Sequence, residues 1–213
     1  MTPTSSAWLR TVRLALAVCV SGLARWSAAD VQVWTVVPQS SDVRIQVGKS
    51  GLLSVAGHPH EVIAPAVSGT IRFDRQRPEQ AEIDLTFDAS HLKVTGKGEP
   101  AGDVPQVQQT MVSDKVLDVG KYPTIVFRSR QIEVRTRGGD QMRLRVAGDL
   151  TLHGVTRPID GPVDVKLSAD RLVGTGSVNI KQTNFGIQPI TAGLGAVKVK
   201  DEVSVTFTFT AER

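Results

Sequence analysis

Residues 203–209 read Val203-Ser204-Val205-Thr206-Phe207-Thr208-Phe209. Apolar and polar side chains alternate without a break, the period of a strand with one buried face and one wet face. The same period recurs upstream. Val43, Ile45 and Val47 alternate with Arg44 and Gln46, and Val67, Gly69, Ile71 and Phe73 with Ser68, Thr70 and Arg72. Ala81, Ile83, Leu85 and Phe87 alternate with Glu82, Asp84, Thr86 and Asp88. Met142, Leu144 and Val146 alternate with Arg143 and Arg145, and the row continues through Leu150 and Leu152. Val163, Val165 and Leu167 complete the set.

Turn chemistry separates these runs. Gly138-Gly139-Asp140 predicts a hairpin, Ser168-Ala169-Asp170 a second turn, and Arg157-Pro158 a break before the following run. The fold class is all-β, with about eight strands in a closed antiparallel barrel or a sandwich. One segment departs from the period. Asp103-Val104-Pro105-Gln106 predicts a short helix with Asp103 as its cap, and Val107 and Met111 form a small packing stripe on it. A further short helical or irregular piece is expected within 183–193, where Gly and Pro are too frequent for a plain strand.

Composition narrows the function. Hydrophobic residues are 40% and charged residues 22% of 213, which excludes a disordered chain. The formal charge of +4 is uneven, because residues 1–29 carry Arg10, Arg13 and Arg25 and no acid. The remainder holds 22 basic and 21 acidic residues, a balance with no general pull on nucleic acid. Residues 1–29 read as a secretory signal peptide. Arg10 and Arg13 are its basic region, Leu14 to Leu23 its apolar stretch, and Ser27-Ala28-Ala29 its cleavage site. Residues 30–213 then form one β-barrel domain in the periplasm or outside the cell. The single cysteine, Cys19, leaves with the signal, so the mature chain has no thiol. Aromatics make up only 5% of the chain, too few for the belts of a membrane barrel.

Several stretches resemble one bacterial family. Gly148-Asp149-Leu150-Thr151-Leu152-His153-Gly154-Val155-Thr156-Arg157-Pro158 closely resembles the "GDLTLHGVTRP" signature of YceI-like proteins. Val116-Leu117-Asp118-Val119-Gly120-Lys121-Tyr122-Pro123, with Phe127 and Ser129, is similar to the family's "FDVxKYPxxxFxS" run. Phe185-Gly186-Ile187 and Gly69-Thr70-Ile71-Arg72-Phe73-Asp74 match two shorter elements. Gln108-Gln109-Thr110-Met111 stands where better-known members carry "DxHL".

The resemblance implies a lipocalin-like extended barrel that holds a polyisoprenoid, an isoprenoid quinone or a similar lipid without a covalent cofactor. It also implies a binding role rather than catalysis. The apolar lipid-like molecule is then the primary partner, alongside a lipid-handling or membrane electron-transfer protein or a second copy in a homodimer. Candidate wall residues are Val43, Ile45, Ile71, Phe73, Ile83, Leu85, Phe87, Phe127, Val146, Leu152, Val205 and Phe207. Periodicity alone does not separate a hollow barrel from a filled one.

The competing reading is a metal-dependent enzyme or redox helper. His58 and His60 flank Pro59, and an extended backbone turns i and i+2 to one side, as two ligands of one metal require. His91, Glu61 and His153 are the available third ligands. His153, before Gly154, is otherwise read as a structural group at a strand end. Asp84, Asp88 and Glu82 lie on a polar strand face and read as solubilising charges.

Overall fold

Each alternating run forms a strand, and each strand places its apolar row on the inside of one closed wall. The computed structural model describes residues 31–50, 59–192 and 197–213. The signal-peptide reading, Cys19 and His58 fall outside the described residues. In chain order the elements are β1 (Gln32–Val36), β2 (Asp42–Ser50), β3 (His60–Ile63), β4 (Val67–Phe73), β5 (Glu82–Asp88), β6 (Lys93–Val94), α1 (Val104–Val112), β7 (Thr124–Gly138), β8 (Gln141–Leu152), β9 (Val155–Leu167), β10 (Arg171–Lys181), β11 (Thr191–Ala192) and β12 (Val197–Glu212).

The pairing is antiparallel throughout. It runs β1-β4-β5-β7-β8-β9-β10-β12 and returns to β1 through Thr35↔Glu212 and Val36↔Ala211, closing a barrel of eight strands. Three of these strands are bent and continue beyond the bend. β1 runs into β2 past Pro38, β4 is preceded by β3 across Pro65, and β5 runs into β6 past the turn Ala89–His91. Beyond the bends β2 pairs with β12, β3 with β2, and β6 with β3, so the same neighbours stay together. Proline has no N–H to give to a ladder, which is why the strands bend where it occurs. At the first bend Val37 N donates to Thr210 O at 2.8 Å and Thr210 Oγ1 donates to Ser40 O at 2.8 Å.

Two expected features turn out differently. Arg157-Pro158 does not interrupt the chain, because β9 runs straight through it with Pro158 opposite Asp149. β10 pairs with β9 only from Val163 to Leu167, so Pro158 lies where β9 has no ladder on that edge. Helix α1 forms as predicted, but Asp103 makes no side-chain cap, and only its carbonyl accepts, from Val107 N at 3.0 Å. Both predicted turns are present, with Gly138↔Gln141 closing one and Ser168 N bonded to Arg171 O at 2.8 Å in the other. The irregular piece is a single turn of 3-10 helix, Gln182–Phe185.

The outer wall is laced by cross-strand ion pairs, among them Arg143–Asp164 at 2.7 Å, Arg128–Asp84 at 3.1 Å and Arg171–Glu212 at 2.8 Å. These pairs are exposed and add little stability, but they make the outer face a water-facing one.

Inside, the apolar residues gather at two ends. Trp34, Val36, Met142, Leu144, Leu167 and Leu172 are buried together at one end. Val43, Val62, Leu92, Leu117, Phe185 and Ile187 are buried at the other, beneath α1. Trp34 is the anchor of the first end, 1% exposed, with the Arg213 guanidinium 5.2 Å from its ring centre. Trp34→Ala is expected to cost about 3–5 kcal/mol, as large-to-small changes of buried aromatics do. Urea denaturation followed by circular dichroism would read this as a lower midpoint with little change in slope.

Candidate functional site

Between the two ends the inward residues are only half buried. Ile83, Phe87, Ile125, Phe127, Val163, Val178 and Phe207 all face inward yet keep some accessible surface. They face a hollow of about 290 Å³ that extends along the barrel. The wall residues picked from the alternation, Val43, Ile45, Ile71, Phe73, Ile83, Leu85, Phe87, Phe127, Val146, Leu152, Val205 and Phe207, all border it. Among the described residues no Lys, Arg, His or Glu borders it. Of the polar ones, Asp160 is paired with Arg145 at 2.6 Å, and Gln182 Nε2 donates to Lys200 O at 2.8 Å.

Two glycines keep the middle open. Gly176 stands directly opposite Phe207. A Cβ on Gly176 would lie 2.6 Å from Phe207 Cζ and 2.5 Å from Pro162 O. A Cβ on Gly148 would lie 2.6 Å from Phe127 Cζ and collide with Arg128 O. The two phenyl rings therefore occupy the space that strand side chains would otherwise fill, lying along the wall instead of projecting across the barrel. Phe207 also stacks on Phe209, with centroids 5.1 Å apart.

Sequence reasoning missed one side of this wall. β10 contributes Leu172, Gly174, Val178 and Ile180, and its inward row is broken by glycines that hide the period-two signal. It also missed Ile132. A bulge in β7 between Ser129 and Gln131 shifts the phase, so Phe127 and Ile132 face the same side although five residues apart.

One rim of the hollow is covered by α1. Met111 reaches the hollow, and Val104 and Val107 pack beside it. Gln108 fixes the helix to the edge of β6. Its Oε1 accepts from Val94 N at 2.8 Å and its Nε2 donates to Leu92 O at 2.9 Å, so one amide supplies both bonds of a missing strand. Glu61 ties down the chain after β6. Its carboxylate accepts from Gln46 Nε2 at 2.7 Å and Thr95 Oγ1 at 3.2 Å, with Arg44 Nη1 at 3.3 Å and Lys97 Nζ at 3.8 Å. Burial acts to raise this acid's pKa. The hydrogen bonds from Gln46 and Thr95 and the charges of Lys97 and Arg44 outweigh it, and the pKa lies below the ordinary value.

The described histidines stand apart. His60 Nδ1 lies 3.0 Å from Glu99 Oε2, and His91 Nδ1 2.9 Å from Asp88 Oδ2. His153 occupies the two-residue turn between β8 and β9 with φ of 52°, its Nδ1 3.2 Å from Phe185 O and its ring edge-on to Tyr122 at 4.6 Å. It braces the Phe185 turn. Glu61, an expected third metal ligand, is held by Gln46 and Arg44 instead. Among the described residues no three His, Cys, Asp or Glu side chains converge.

Comparison with known proteins identifies relatives of this barrel. The family model described as YceI-like domain matches residues 34–211. A UPF0312 protein of Pseudomonas syringae pv. tomato is 34% identical over 145 residues, covering 65% of this chain and 67% of that protein. A UPF0312 protein of Pseudomonas fluorescens is 31% identical over 94 residues, so the chain spans only 43% of that relative's length. Among solved structures, Burkholderia cenocepacia BcnA superposes with a TM-score of 0.63 at 21% identity, covering 82% of this chain and 98% of that one. A polyisoprenoid binding domain from Saccharophagus degradans superposes with a TM-score of 0.61 at 17% identity, covering 84% and 97%. At these identities the two structures share the fold.

Two outcomes follow from the geometry. Gly176→Ala drives the Phe207 ring off the wall, and the uptake of an apolar fluorophore such as diphenylhexatriene is expected to fall about tenfold or more. Unchanged uptake would mean that the glycine does not hold the hollow open. The second outcome concerns acid. Glu61 has a lowered folded pKa, so its stabilising contribution is present above the unfolded value of about 4.5 and is lost as pH falls through the folded one. Thermal melts between about pH 6 and pH 3 should show Tm falling, with part of that fall abolished in Glu61→Gln.

Proposed function

The chain belongs to the family of YceI-like domains, and from that premise we propose that its barrel holds one long, apolar, chain-like lipid of the polyisoprenoid or isoprenoid-quinone class. A neighbour of the same fold is described as a polyisoprenoid binding domain, which supports the class of ligand. The observation that carries the reading is the hollow itself, about 290 Å³ bordered almost wholly by hydrocarbon. An apolar chain entering such a space gains from desolvation with no charge to bury. At about 0.3 kcal/mol per heavy atom, every ten carbons that enter contribute about −3 kcal/mol, so affinity grows with the length of chain the barrel takes in. Binding and transfer, not bond-making, is the chemistry this wall serves. The barrel works in the periplasm or outside the cell once residues 1–29 are removed after Ala29, and it delivers its lipid to a lipid-handling or electron-transfer partner at the membrane.

Protein isolated from its own host without detergent, extracted with organic solvent and analysed by mass spectrometry, is expected to yield an isoprenoid lipid near one per barrel. The mature N terminus should be Asp30. Extracts free of lipid, together with a barrel that takes up no added isoprenoid, would overturn the reading.

A further inference from the structure

One polar pair lies beside this apolar wall. His60 and Val62 lie on one face of β3, and Val62 and Ala64, the residue just after the strand, border the hollow. His60 pairs across the sheet with Val47, which also borders it. The His60 side chain therefore stands at the rim, one pair beyond the apolar wall. Glu99, from the loop ahead of α1, meets it there with its side chain 1% exposed. Glu99 Oε2 is 3.0 Å from His60 Nδ1, but the two are off the line of a hydrogen bond. Glu99 Oε1 and His60 Nδ1 are both buried and have no hydrogen-bond partner among the described residues. Glu61 turns to the opposite face of β3, with Arg44 and Lys97 facing it there.

A buried acceptor and a buried ring nitrogen without partners cost free energy until a group supplies both bonds. A hydroxyl does so, since its O–H donates and its oxygen accepts. An ether or ester oxygen only accepts and leaves Glu99 unmet. An ionised carboxylate or phosphate brings like charge to Glu99. We propose that His60 and Glu99 form a headgroup subsite at the rim of the hollow that takes the hydroxyl of a long-chain alcohol. The alcohol donates to Glu99 Oε1 and accepts from His60 Nδ1–H, while its hydrocarbon chain lies along the barrel. The subsite rests on the lipid-holding reading and narrows it to uncharged, hydroxyl-ended chains.

The test is displacement of diphenylhexatriene at pH 7 by three ligands sharing one chain: geranylgeraniol, its methyl ether and geranylgeranoic acid. In the unmodified protein the alcohol is expected to bind about tenfold or more tightly than either analogue, the gain typical of hydrogen bonds to a charged group. Glu99→Ala should cut the advantage over the ether to about twofold or less. His60→Phe gives the same readout should Glu99→Ala fail to fold. Equal binding of alcohol and ether to the unmodified protein overturns the subsite while the lipid-holding reading stands. So does a variant that keeps the full preference. If the hollow takes up neither the dye nor any of the three chains, the lipid-holding reading itself falls.

Discussion

The two-sided pairing of β12 is the constraint on which the barrel depends. One edge of this strand is fully engaged by β10, from Glu202 to Glu212. The other edge is shared between β2 and β1, joined across the bend at Pro38. An open sheet of this sequence would expose its whole apolar row to water and leave two edges ready to pair with other chains. Closure removes both problems together. The Thr210 and Ser41 hydroxyls matter for this reason, because Ser41 Oγ accepts from Thr210 N at 3.1 Å where the bend interrupts the ladder.

Closure also creates a filling problem. A ring of eight strands has an interior just wide enough for side chains to fill or for one small ligand to occupy. Here the ends are filled and the middle is not. Trp34, Met142 and Leu144 occupy one end, and Phe185, Leu92 and Leu117 the other. In between, glycine is placed opposite or beside phenylalanine, at Gly176 and Gly148, so the largest side chains lie back on the wall. The molecule gives up core packing in its middle, where cavity formation costs stability, and a ligand that filled the space would restore it.

Much of this was legible in the amino-acid order. The period of two in 203–209 and 81–88, and the turns at Gly138-Gly139-Asp140 and Ser168-Ala169-Asp170, are local signals, and local physics decides them. The hollow was not legible, because whether Phe207 projects or lies flat depends on Gly176, thirty-one residues away and opposite it only after β10 and β12 pair. The inward phase of Ile132 depends on a bulge that no composition rule announces. Pro158 misled for a related reason. Its effect depends on whether β10 reaches that stretch of β9, a property of the sheet and not of the dipeptide. His60 was singled out early, but as half of a pair with His58. Its partner among the described residues is Glu99, thirty-nine positions along the chain.

A hollow with apolar walls and one polar rim has a directional consequence. Hydrocarbon contact is nearly uniform along the barrel, so it holds a chain without deciding which end enters first. Orientation has to come from a group that is satisfied in one pose and stranded in the other. A buried, under-bonded carboxylate beside an imidazole is such a group, because hydrogen bonds discriminate by geometry where apolar burial does not. Glu99 is reached by the loop that leads into α1, and Gln108 clamps that helix to the edge of β6. The polar contact at the rim and the helix above the hollow therefore belong to one continuous segment. A ligand that satisfied Glu99 would steady the same stretch of chain that covers one rim of the hollow, and so would couple headgroup recognition to retention.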